Sequence, residues 1–383
     1  MMLRSRLRFS LVLYCFPFLA GVCAAQKKPA LPEPQDKVGL VTRDITPAKP
    51  RNWRGSEDHT LHVTVWYPAP DTAIETPQLI GPPDKPLFHA GSATPHAAFA
   101  PALEPYPLIL LSHGTGGSAL QMAWLGTALA RAGFIAAAVD HPGNNAQSTY
   151  TAAGFLLWWE RATDLTNVLD GLLADPELGP HIDRGRIGAA GFSLGGFTAL
   201  QLAGARTDIS EFYDLCRTKP DTDVCHVPEM RSLLLDDAGH ARTLEQLLAS
   251  MRRTNGESLA LSGESYRDPR VKAVFALAPA LGFTFTPESL RALRLPVAEI
   301  AGGADTIAPA PTSADVIRAN VRGTRETTLP GVGHYTFLDT CTAEGKATQA
   351  ALCTDAPGID RDAVHAQAAD QVIQFFARIF RLK

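Results

Sequence analysis

Two hydrophobic periods take turns along this chain. From Leu61 to Ala69 (LHVTVWYPA) apolar and polar positions alternate every second residue, which predicts a strand. Residues 107–114 (PLILLSHG) form an unbroken apolar run and predict a strand buried on both faces. Residues 118–133 then read as a helix closed by a glycine, and 134–143 as a strand and turn. Leu165, Val168, Leu169 and Leu172 recur at helical spacing and predict a helix over 161–175. Further strands are predicted at 185–192, 271–281, 295–305 and 323–331, and helices at 194–203, 310–320 and 363–378. The last helix has an apolar face at Ile373 and Phe376, with Phe380 nearby. Strands alternating with helices imply an α/β fold, a mostly parallel central sheet with both faces covered.

Two segments interrupt the alternation. Residues 71–107 hold many prolines and no clear period, and read as a long, irregular surface insertion. Residues 206–269 carry a cysteine pair and a helical stretch at 244–251, and read as a candidate lid between two strands. No internal repeat is visible.

The first residues add a compartment. Arg4, Arg6 and Arg8 precede an apolar run from Phe9 to Gly21, and small residues follow. This predicts a signal peptide over 1–25, cleaved after Ala25, and an exported, periplasmic or secreted chain. A lipid-anchored Cys23 is the rival, although Val22 fits a lipobox poorly. Residues 26–35 read as a flexible leader, and no other segment reads as a membrane span. The 383 residues, 45% of them hydrophobic, allow a sizeable core. The net charge of −4 and the lack of a long basic run beyond the N-terminus argue against nucleic acid as a partner. Four cysteines follow the signal, and in an oxidising compartment Cys216–Cys225 and Cys341–Cys353 are the economical pairs. Their spacings match no zinc pattern, so no metal is expected.

The candidate chemistry centres on Ser193. Gly191-Phe192-Ser193-Leu194-Gly195 fits Gly-x-Ser-x-Gly and lies between a predicted strand and a predicted helix. A sharp turn there lifts the hydroxyl off the sheet edge, and flanking glycines remove the side chains that would collide. A serine hydroxyl needs a base. Asp305 and His334 follow in the order acid, then histidine, each in a loop at the carboxyl end of a predicted strand, on the edge that bears Ser193. They are the expected acid and base, with Asp339 the reserve acid. The backbone N–H groups of Leu194 and Thr115 are the expected oxyanion donors. Two other classes compete. Residues 114–119 (GTGGSA), with Asp140 ending the next strand, satisfy a dinucleotide-binding fingerprint, but that oxidoreductase reading leaves Ser193, Asp305 and His334 unexplained. A non-catalytic binding protein would not need the intact trio.

The chain resembles the α/β-hydrolases, and more narrowly the exported proteins described as dienelactone hydrolase-like, related to platelet-activating-factor acetylhydrolases. The likeness is carried by WYPA (66–69), LSHGTGGS (111–118), VDHPGN (139–144), RIGAAGFSLGG (186–196), GVGHYTFLD (331–339), and Cys353-Thr354-Asp355 with Gly358-Ile359-Asp360-Arg361. It implies one α/β-hydrolase domain over 26–383 and a serine carboxylic ester hydrolase that works through an acyl-enzyme without a cofactor. An amidase or peptidase with the same trio is the alternative. The expected partner is a small-molecule, lipid or polymer ester. Dienelactone hydrolases use a cysteine where this chain has Ser193. Acetylhydrolase relatives carry their acid on the strand after the serine helix, where this chain reads Ala278-Pro279-Ala280, which favours Asp305. His113, His141, Asn144, Phe192, Trp158 and Trp159 are the expected pocket residues.

Overall fold

The structure is a computed structural model that describes residues 37–49, 52–225, 233–235 and 242–382. The expected signal peptide, Cys23, the leader and part of the 206–269 insertion lie outside the described residues. In chain order the strands are β1 (Lys37–Ile45), β2 (Leu61–Ala69), β3 (Thr76–Ile80), β4 (Phe88–Pro95), β5 (Tyr106–Ser112), β6 (Ile135–Val139), β7 (Ile182–Phe192), β8 (Val271–Leu277), β9 (Val297–Gly302), β10 (Arg325–Leu329) and β11 (Thr340–Cys341). The helices are α1 (Ala123–Arg131), α2 (Ala152–Leu156), α3 (Glu160–Ala174), α4 (Leu194–Ala203), α5 (Ile209–Thr218), α6 (Leu244–Thr254), α7 (Gly256–Ala260), α8 (Pro287–Ala292), α9 (Ala314–Asn320), α10 (Ala343–Thr348), α11 (Ala350–Cys353) and α12 (Arg361–Ile379).

The sheet runs β10-β9-β8-β7-β5-β6-β2-β1-β4-β11, with β3 on β4. From β10 to β6 every neighbouring pair is parallel, whereas β2 joins β6 and β1 joins β2 antiparallel. Alternate residues of the central strands feed separate cores. Leu108, Leu110 and Ala189 pack with α3 and α4 on one face, and Ile109, Leu111 and Ala190 pack with α1 and α12 on the other. Burial on both faces is why these strands read as continuous apolar runs.

The 71–107 segment differs from the expectation. It holds β3 and β4, which extend the sheet beyond β1: β4 pairs parallel with β1 and antiparallel with β3 and β11. Thr76, Pro77 and Leu79 of β3 are exposed, so no buried face imposes a period there. The partner strand β11 lies some 250 positions away in the chain, where local pattern has no access to it. In the 206–269 segment, α5, α6 and α7 are helical, and Thr243 and Gln246 close a capping box on α6. Cys216–Cys225 and Cys341–Cys353 are both bonded, with Cα atoms 5.7 and 5.8 Å apart. Among the described residues no helix is long and apolar enough to cross a membrane.

Candidate active site

Ser193 links β7 to α4 with φ 55° and ψ −120°, a backbone region that L-residues seldom occupy. Its surroundings enforce the turn. The Ser193 N–H donates to Leu277 O at 2.8 Å, and its carbonyl accepts from Ala280 N–H at 3.2 Å, which ties the elbow to the end of β8. Glycine is required at two places. A Cβ on Gly195 would lie 1.8 Å from Ser112 O, and one on Gly191 would lie 2.3 Å from the Gly195 carbonyl.

His334 opens the one-turn helix His334–Phe337 after β10, and Asp305 lies in the loop after β9. His334 Nε2 is 2.8 Å from Ser193 Oγ, and His334 Nδ1 is 2.6 Å from Asp305 Oδ2. Asp305 Oδ1 accepts the Ile307 and Ala308 N–H groups at 3.0 and 2.7 Å, so both carboxyl oxygens are fixed. All three side chains are buried. With Nδ1–H donated to Asp305, Nε2 is left as the acceptor for the Ser193 proton.

The Thr115 and Leu194 N–H groups have no hydrogen-bond partner among the described residues, and both residues line the cleft above Ser193. The loop that carries Thr115 is pinned on both sides. Gly116 N–H donates to Asn144 Oδ1 at 2.7 Å, Tyr150 Oη–H donates to Gly116 O at 2.8 Å, and Ala146 N–H donates to Gly117 O at 2.7 Å.

Four of the expected pocket residues lie elsewhere. His113, His141 and Asn144 sit behind the Thr115 loop, fully buried, and do not face the cleft. Each is consumed by backbone or buried polar partners: His113 Nδ1–H donates to Gly114 O at 2.7 Å, and Asn144 Nδ2–H donates to Gly154 O at 3.1 Å. Trp159 points into the core and donates to Ser258 Oγ at 3.0 Å, because α3 begins there and turns that ring inward. Phe192 and Trp158 do line the cleft.

His141 takes part in an arrangement that the sequence analysis missed. Its Nε2 is 2.9 Å from Ser112 Oγ and its Nδ1 is 2.8 Å from Asp164 Oδ2, a second Ser–His–Asp array. None of its three side chains lines the cleft over Ser193, and all three are buried. Asp164 also accepts from Arg54 Nη2–H at 2.7 Å, and Arg161 donates to Ser112 Oγ at 3.2 Å and to the His113 carbonyl. Arg161 Nε and Nη1 have no hydrogen-bond partner among the described residues, and burial lowers its pKa to about 9. Burial, followed by the neighbouring arginine charge, holds both His113 and His141 well below the ordinary histidine range, so their rings stay neutral. A signal for this array was present in the chain: Arg161 and Asp164 continue the apolar stripe of Leu165, Val168 and Leu172 on one helix face.

The remaining acids serve other ends. Asp339 is fully buried away from His334, and burial raises its carboxyl well above the usual range. Asp140 Oδ1 accepts the Ala119 N–H at 2.7 Å, and burial pushes its pKa up to about 6. The fingerprint acid is therefore tied to the start of the one-turn helix Ala119–Met122, which precedes it in the chain, and the glycine loop before that helix lines the cleft that holds Ser193.

This sheet, elbow and loop arrangement has the α/β-hydrolase fold. A ferulic acid esterase from Streptomyces cinnamoneus superposes on it with a TM-score of 0.57 at 20% identity, covering 92% of this chain and 91% of that one. Residues 89–157 match the family model of platelet-activating factor acetylhydrolase, isoform II. The matched stretch carries the Thr115 and Asn144 loops and stops short of Ser193. A platelet-activating factor acetylhydrolase from Bos taurus is 29% identical over 160 residues, covering 30% of this chain and 36% of the relative. The chain thus spans little more than a third of that curated relative. It is an α/β-hydrolase-fold protein similar, over that stretch, to the platelet-activating-factor acetylhydrolases.

Proposed function

We propose that the protein is a serine carboxylic ester hydrolase. The observation that carries the reading is the relay from Ser193 Oγ through His334 to Asp305, at 2.8 and 2.6 Å, on a strained elbow beside two N–H groups that have no partner among the described residues. Ser193 Oγ attacks the ester carbonyl while His334 Nε2 takes its proton. The carbonyl oxygen, now negative, is met by the Leu194 and Thr115 N–H groups. His334 returns the proton to the departing alcohol, and the acyl group remains on Ser193. Water then enters, loses a proton to His334 and attacks the acyl carbonyl; the bond to Ser193 Oγ breaks, the acid leaves, and His334 returns the proton to Ser193 Oγ. Asp305 holds the imidazole in the right tautomer and offsets its charge. The similarity to an acetylhydrolase over part of the chain supports ester chemistry. The two disulfides support export of the chain.

The test is release of p-nitrophenol from short acyl esters, run beside labelling with a fluorophosphonate. Wild type should turn over esters and gain one phosphonyl adduct on Ser193. Ser193→Ala should fold, lose labelling and lose roughly 10⁴-fold or more in kcat. Full activity in that variant would overturn the assignment.

A further inference from the structure

The cleft over Ser193 has a volume of about 660 Å³, and it has two hydrophobic walls, one from each face of the sheet. On the α3–α4 side of the sheet the wall is Phe155, Trp158, Phe212 and Leu281. On the α1–α12 side it is Leu338, continuing into Leu87, Phe88 and Leu352 around the Cys341–Cys353 disulfide. Ser193 stands on the divide. Phe192, immediately before it, packs into the second wall's core, and Leu194, immediately after it, packs into the first. The other polar lining side chains among the described residues, apart from Ser193 and His334, are neutral hydroxyls and carboxamides such as Tyr150, Gln121, Gln147 and Gln349.

Resting on the hydrolase reading above, we propose that the substrate is an uncharged ester with an apolar group on each side of the scissile carbonyl. One group lies against each wall, and the carbonyl lies between them over Ser193. Apolar substituents gain from removal from water on either side. A full charge on either arm would lose its hydration and meet no counter-charge among the described lining residues. A quaternary ammonium has one compensation open to it, the aromatic faces of Trp158 and Tyr150. A cationic ester is therefore the sharpest challenge.

The experiment uses the wild-type protein and two isosteric pairs. On the alcohol side, 3,3-dimethylbutyl butyrate is compared with butyrylcholine. On the acyl side, ethyl heptanoate is compared with monoethyl pimelate. The neutral member of each pair should have a kcat/KM higher by about 10- to 100-fold. Fluorophosphonate labelling of Ser193 in the same preparation separates the two ways to fail. A labelled protein with kcat/KM equal within about threefold in either pair, or one that turns over neither neutral ester, overturns the substrate class. A protein that neither labels nor turns over any of the four esters overturns the hydrolase reading.

Discussion

Ser193 is presented at the cost of backbone strain, and the two glycines around it make that strain sustainable. At Gly195 the space for a Cβ is already filled by Ser112 O, and neither β5 nor α4 can retreat without opening a core. Gly195→Ala should therefore reduce stability by about 2–3 kcal/mol and activity by more than the stability loss explains. Urea unfolding read beside kcat at a temperature where the variant is fully folded checks both. Asp305 contributes differently. Its Oδ1 is occupied by two backbone N–H groups, which leaves Oδ2 for His334. Asp305→Asn should keep the loop and lose the tautomer control, lowering kcat by roughly 10³–10⁴ with a smaller change in KM. A variant with wild-type kcat would move the acid elsewhere.

At the scale of elements, α3 reaches under the Thr115 loop with Arg161 and Asp164. The buried group comprises two arginines and one carboxylate, with both histidines neutral. Asp164 is the only negative partner in it among the described residues, so Asp164→Asn should destabilise by about 3 kcal/mol and lower kcat by displacing the Thr115 loop. Ser112 resembles a nucleophile only in its partners, since it lies buried in a strand away from the cleft. Ser112→Ala should keep most of the turnover that Ser193→Ala removes, measured on the same p-nitrophenyl ester. The β9–β10 pairing contains another buried acid. Glu299 sits opposite Glu326, and neither Glu299 carboxyl oxygen has a hydrogen-bond partner among the described residues. Burial first, then the Glu326 charge, raises its pKa well above the ordinary range, while Arg318, paired with Glu326, opposes the shift. The folded protein thus holds a proton that the unfolded chain releases. Its contribution to stability is complete below the unfolded glutamate pKa of about 4.3 and falls as pH rises toward the folded value. Glu299→Gln should remove this fall and gain on wild type from pH 5 to pH 8, read as the shift in urea midpoint.

Over the whole molecule, legibility in the sequence followed the range of the interactions. The helix Leu194–Ala203 and the strands before and after it were legible, because the elbow needs glycines at fixed offsets and the central strands are apolar on both faces. Ser193, Asp305 and His334 were legible as loop residues at one sheet edge. The strands β3 and β4 were not, since β3 buries no continuous face and β4 finds β11 only through the tertiary fold. The pocket roles given to His113, His141 and Asn144 failed for a related reason: a loop leaving the right edge can still turn its side chains inward. That long-range docking also gives the Cys341–Cys353 disulfide a place beside the cleft. Cys341–Cys353 fastens α10 and α11 beside β4, where Gln349 and Leu352 form part of one cleft wall. The relay residues are anchored separately, at the ends of β7, β9 and β10. Replacing Cys341 and Cys353 together by serine should lower stability by about 2–3 kcal/mol, the value expected for a short ring. Loosening that wall should also raise KM for bulky esters by several-fold, while kcat on a short acetyl ester stays within about twofold. Thermal unfolding and a comparison of acetyl with long-chain esters would read both effects. An equal loss of kcat on every ester would show instead that the C-terminal segment supports His334 itself.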